Sequence, residues 1–171
     1  MTCEQAPVPR DGGQREDGPG TEVGRAYEAM LRLLTRREYS VHELRQKLGP
    51  RFPDCVLEQA LELCRERNYQ SDARCAAMLV RHCEFSLTGP NRLRHELHRR
   101  GVQADGELMP ENETWEELAF RALCRRYGQS SAAEGEAQWD YARRRRALAY
   151  LVQRGFTPEQ CLSAVRRFAP G

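Results

Sequence analysis

Three times along this chain a pair of apolar residues four positions apart is followed by an arginine and then a bulky apolar residue. Leu44 and Leu48 precede Arg51-Phe52, Leu93 and Leu97 precede Arg100-Gly101-Val102, and Ala147 and Leu151 precede Arg154-Gly155-Phe156. Residues four apart share one face of a helix, and recurrence at such an interval marks a tandem helical repeat whose copies bury their apolar stripes together. The expectation is an all-α chain.

The first copy is the most legible. Ala26, Met30, Leu33 and Leu34 recur at spacings of three and four, which predicts a helix from residue 25 to about Arg37. Ser40 followed by Glu43 is a capping box: the serine oxygen accepts from the Glu43 N–H while that carboxylate reaches back to the Ser40 N–H. It opens a short helix with Val41, Leu44 and Leu48 on one face, stopped at Gly49-Pro50. Pro53 and Asp54 begin a third helix with Val56, Leu57, Ala60, Leu61 and Cys64 as its stripe, ended by Asn68.

That third helix recurs in Cys161, Leu162 and Val165, behind Thr157-Pro158-Glu159-Gln160, which supplies an N-cap, a proline at the first helical position and a capping glutamine. The pattern predicts three tandem three-helix repeats forming an elongated, curved helical body: residues 25–70, 71–113 and 114–171. The middle repeat is the least regular. Helices are expected from Asp72 to Glu84 and from Pro90 to Arg100, but residues 103–113 contain Gly106 and Pro110 and little periodicity, so its third helix is irregular. Thr114 with Glu117 forms another capping box before Trp115, Leu118, Ala119, Ala122 and Leu123, and residues 128–138 read as a flexible link. Residues 1–24, rich in proline and glycine and nearly without apolar side chains, read as a disordered tail.

Several function classes are disfavoured by what these residues lack. No apolar run approaches the roughly 20 residues that cross a bilayer, and no charged-then-apolar leader opens the chain, so a soluble, cytoplasmic protein is expected. Seven cysteines, without a CxxC pair, fall mostly inside helical apolar patterns and read as reduced core thiols. A metal site from Cys75, His82 and Cys83 has the wrong spacing for a zinc module. No phosphate-cradling glycine loop or nucleophile turn is present, and the four histidines lie beside arginines on helices, so no enzyme, metal or cofactor is expected.

The charge distribution is more informative than the net charge of +2. The first 24 residues carry five acids and two bases, a balance of −3 that leaves +5 for the rest, and Lys47 is the only lysine among 27 basic residues. Guanidinium groups fork onto phosphates or carboxylates, although a high-GC genome produces the same bias. Arg92, Arg94, Arg99 and Arg100 crowd the second helix of the middle repeat, and Arg143, Arg144, Arg145 and Arg146 crowd its counterpart in the last. A single such arginine is adequately explained as a solvated helix face; two groups on equivalent helices suggest a partner-contact surface.

Four stretches in order, "AMLRLLTRREYSVHELRQKL", "NYQSDARCA", "LRHELHRRGV" and "LVQRGFTPEQC", resemble the RecX family, over residues 25–169. The resemblance implies a small bacterial regulator, built of three-helix repeats and acting without catalysis. It implies binding to the RecA recombinase and its filament on single-stranded DNA, with inhibition of ATPase and strand exchange in recombination and repair. The eight arginines named above are the contact candidates by analogy, in a protein expected to be a monomer. A direct DNA-binding protein using the short helices for recognition is the alternative, and weak direct DNA contact is compatible with both. Cys75 stands where the family usually has an aromatic residue.

Overall fold

The computed structural model describes residues 21–103, 109–128 and 140–169. Among them the chain forms eight helices: α1 (Glu22–Leu34), α2 (Val41–Leu48), α3 (Asp54–Glu66), α4 (Asp72–Ser86), α5 (Pro90–Arg99), α6 (Asn112–Tyr127), α7 (Tyr141–Gln153) and α8 (Pro158–Phe168). The two capping boxes form as their sequences predict, Ser40 with Glu43 at α2 and Thr157 with Gln160 at α8. α1 packs chiefly on α3, and α6 packs in the same way on α8, with α2 and α7 as the middle helices.

Buried apolar side chains gather into two clusters. Ala26, Met30, Leu44, Leu57, Ala60, Leu61 and Cys64 are almost completely buried in the first, which draws only on α1 to α3 and their connections. The second runs from Cys75 to Ala169 and joins α4 and α5 to α6, α7 and α8, with Trp115, Leu123, Leu151 and Phe156 at its heart. Each fully buried leucine or phenylalanine contributes on the order of 1.5–3 kcal/mol. The middle helices therefore share their core with the last three.

Three sequence expectations change. α1 begins at Glu22, inside the segment assigned to the tail, because Thr21 Oγ1 accepts the Gly24 N–H at 3.0 Å and Gly24 is buried. α6 begins at Asn112, which places Thr114 inside its first turn, so the Thr114–Glu117 capping box does not form. One local and one tertiary bond hold that start instead: Trp115 Nε1 donates to the Pro110 carbonyl at 3.0 Å, and Gln160 Nε2 donates to Asn112 Oδ1 at 2.9 Å. α1 ends at Leu34, short of the expected end near Arg37. Of the irregular segment of the middle repeat, residues 109–111 are non-helical and residues 104–108 lie outside the described residues, as do residues 1–20 of the expected tail and residues 129–138 of the expected link.

The repeated Arg-Gly pair turns out to be a joint. After α5, the Arg100 carbonyl accepts from Ser40 Oγ at 2.5 Å, while Gly101, at φ +62°, sits so close to His42 that a Cβ would lie 2.7 Å from the His42 Cβ. After α7, the Arg154 carbonyl accepts from the Gly89 N–H at 2.8 Å, and the Gly155 carbonyl accepts from the Asn91 N–H at 3.0 Å. Gly155 has φ +88°, and a Cβ there would meet the Arg92 nitrogen at 2.8 Å. Ser40 and Gly89 are the N-caps of α2 and α5, so the end of α5 docks on the start of α2 and the end of α7 on the start of α5. Such crowding at positive φ admits glycine alone without strain.

Candidate partner-binding surface

The arginines of α5 divide into two kinds. Arg92, Arg94 and Arg99 are exposed; Arg94 donates to Asn91 Oδ1 at 2.9 Å and Arg99 to Glu96 Oε2 at 2.7 Å. Arg100, a contact candidate in the sequence, is turned inward. Its side chain is 14% exposed and lies 3.6 Å from Glu43 and 3.9 Å from Glu96. Its Nε and Nη1 are buried without a hydrogen-bond partner, held by ion pairing alone. The role of Arg100 is to brace the first joint.

Glu43 is the centre of that brace. It caps the Ser40 N–H at 3.2 Å and accepts from Arg37 Nη2 at 2.8 Å, with Arg100 on its other side. Burial pushes its carboxyl up, but the Arg37 and Ser40 hydrogen bonds and the Arg100 and Arg37 charges outweigh that and hold it below the ordinary carboxylate range. Around it Val41 N–H donates to Asp72 Oδ1 at 3.0 Å and Arg74 Nε meets Glu38 Oε1 at 2.9 Å. Arg37 also stacks over Tyr39, 3.7 Å from the ring centroid.

On α7, Arg145 and Arg146 are exposed and Arg143 and Arg144 partly so. Arg144 Nη2 reaches the Ala169 carbonyl at 3.4 Å and its Nε is buried, so this arginine helps to hold the end of α8. Arg143, Arg146, Tyr150 and Gln153 follow one another at i, i+3, i+7 and i+10 along one face of α7. With Arg126 and Tyr127 from the last turn of α6 they line a cleft of about 430 Å³. Arg126 stacks 5.5 Å from the Tyr150 centroid, and Arg154 approaches the same ring at 5.3 Å. Sequence reading missed Arg126 because nothing local places the end of α6 beside α7; the "CRRY" doublet was the only trace.

Among the described residues the cysteines are free thiols, with Cys64, Cys75, Cys83 and Cys161 buried in the cores. Burial pushes the Cys64 and Cys161 thiols up to about 11, and raises Cys75 and Cys83 as well, so all four are protonated and weakly nucleophilic at neutral pH. No group of three or more His, Cys, Asp or Glu side chains among the described residues is arranged to hold a metal ion.

The family model for the first three-helix domain of RecX matches residues 26–64, which is the extent of the first core. The regulatory protein RecX of Xanthomonas campestris pv. campestris is 34% identical over 167 residues, covering 95% of this chain and 96% of that one. The chain belongs to the RecX family. A RecX of Acidithiobacillus ferrooxidans is 42% identical over 135 residues, 75% of this chain and 81% of the relative. The crystal structure of RecX from Lactobacillus salivarius shares the fold with a TM-score of 0.66 at 15% identity, covering 86% of this chain and 96% of that one. In this RecX-family chain the position where an aromatic residue was expected, Cys75, is fully buried in the second core, and the helix carrying it is intact. No helix among the described residues is long and apolar enough to cross a membrane.

Proposed function

We propose that this chain is a non-catalytic regulator that binds a RecA-type recombinase and its filament on single-stranded DNA, and inhibits ATP hydrolysis and strand exchange. One observation carries the reading beyond family membership: the Arg-Gly joints string α2, α5 and α7 end to start, so these arginine-bearing helices follow one another along the molecule. A surface built in this way suits a repeating, acidic and nucleic-acid-bearing partner better than it suits a small substrate. The contact residues in this reading are Arg92, Arg94 and Arg99 on α5, and Arg143, Arg145 and Arg146 on α7.

The test is titration of the purified protein into recombinase on single-stranded DNA, with ATP hydrolysis as the readout. Replacing Arg143, Arg145 and Arg146 by alanine while leaving the structural Arg144 in place should retain the helical circular-dichroism signal and raise the half-inhibitory concentration about 10-fold or more, as expected for losing charge-assisted hydrogen bonds. Undiminished inhibition by the folded variant would exclude α7 as a contact surface.

A further inference from the structure

We infer that the cleft between the end of α6 and α7 is a binding site for a run of linked phosphates. This deepens the reading of α7 as a contact surface and rests on it only for the site's place in regulation. Among the described residues the walls contribute three guanidinium groups, Arg126, Arg143 and Arg146, and no carboxylate. The charge of Arg126 is supported by the Tyr150 ring, and Arg146 Nε rests on the Ala142 carbonyl of its own helix at 3.3 Å, so neither is spent on a carboxylate. Arg126 comes from one helix, and Arg143 and Arg146 lie one turn apart on the other, so positive charge reaches the cleft from both walls, as a polyanion requires. Guanidinium forks match phosphate oxygens, the Gln153 amide adds a donor, and Tyr127 and Tyr150 bring apolar surface that a sugar or base can cover. A volume of about 430 Å³ is of the size that holds a small-molecule ligand.

The phosphates have two sources, a free oligophosphate or a polynucleotide backbone, and the test separates them. Full-length protein is titrated with tripolyphosphate by calorimetry and with a fluorescent oligothymidylate by anisotropy, without recombinase, at several salt concentrations. The double variant Arg126→Ala/Arg146→Ala is compared with Arg36→Ala/Arg65→Ala, which removes the same charge from the exposed surface of the first unit. The cleft variant should bind at least one probe about 10-fold or more weakly, and for the oligonucleotide its dependence of log K on log salt should fall by about 1.4, or 0.7 for each lost phosphate contact. Weakening toward tripolyphosphate alone identifies a free oligophosphate; weakening toward the oligonucleotide identifies a backbone. Failure of both probes to bind, or equal losses in the two variants, overturns the site. Lost ATPase inhibition with unchanged probe binding also overturns it, and leaves the regulatory reading standing. Weakened probe binding with intact inhibition upholds the cleft and detaches it from regulation.

Discussion

Glu43 shows how one side chain serves local and long-range structure together. As the third residue of α2 it completes a capping box, and as the anion between Arg37 and Arg100 it stabilises the first joint. Only the first of these roles was legible, since a capping box spans four residues and the Arg100 contact spans 57 positions. Replacing Glu43 by glutamine keeps the size and a capping oxygen but deprives Arg37 of its carboxylate and leaves the buried Arg100 with Glu96 alone. Urea unfolding at pH 7 should show a loss of about 2–3 kcal/mol. The folded carboxyl lies below its unfolded value of about 4.3, so its contribution is complete above that pH and is lost as pH falls through the folded value. The gap between wild type and variant should therefore narrow below about pH 4. A gap that is constant from pH 7 to pH 3 would mean that charge has no part in it.

At the scale of elements, helix starts were readable where a full capping box is local, as at Ser40 and Thr157, and were misplaced where the cap is a lone threonine, as at α1, or where a distant residue helps to set them, as at α6. The glycines of the Arg-Gly pairs carry the same lesson. A glycine just past a helix is ordinarily a terminator, but Gly155 combines positive φ with a close backbone approach to α5. Gly128 has a similar φ of +82° with nothing within 4 Å of the place a Cβ would take, so it serves as an internal control. Gly128, at φ +82° and ψ 168°, lies in an extended region open essentially to glycine alone, and Gly128→Ala should cost about 1–3 kcal/mol for that backbone conformation. Gly155→Ala should cost that plus a further 1–3 kcal/mol, approximately, for overpacking at the joint. Equal losses in the two variants by chemical denaturation would remove the joint from the account.

At the scale of the molecule, the two apolar cores are separate and the ion-pair network of Arg37, Glu43, Glu96 and Arg100 sits at the joint between them. Polar joints are weaker than shared apolar cores, so a loosened joint should uncouple unfolding. Both tryptophans, at positions 115 and 139, follow α5 in the sequence, whereas circular dichroism registers the helices of both cores. In Glu43→Gln the urea midpoint by circular dichroism should precede that by tryptophan fluorescence, a departure from two-state behaviour. Coincident midpoints would show that the cores remain one cooperative unit.

Periodicity, caps and composition by themselves determined that this chain is helical, where most of its helices run, which faces carry apolar residues and where arginines cluster. These depend on contacts three or four residues apart, which a linear pattern records directly. Only the tertiary structure decided that the middle helices share a core with the last three, that Arg100 faces inward while Arg92, Arg94 and Arg99 face out, and that Arg126 joins Arg143 and Arg146 around one cleft. Those outcomes depend on which distant backbone segments meet, and the small residues that permit the meeting look, in one dimension, like ordinary helix stops.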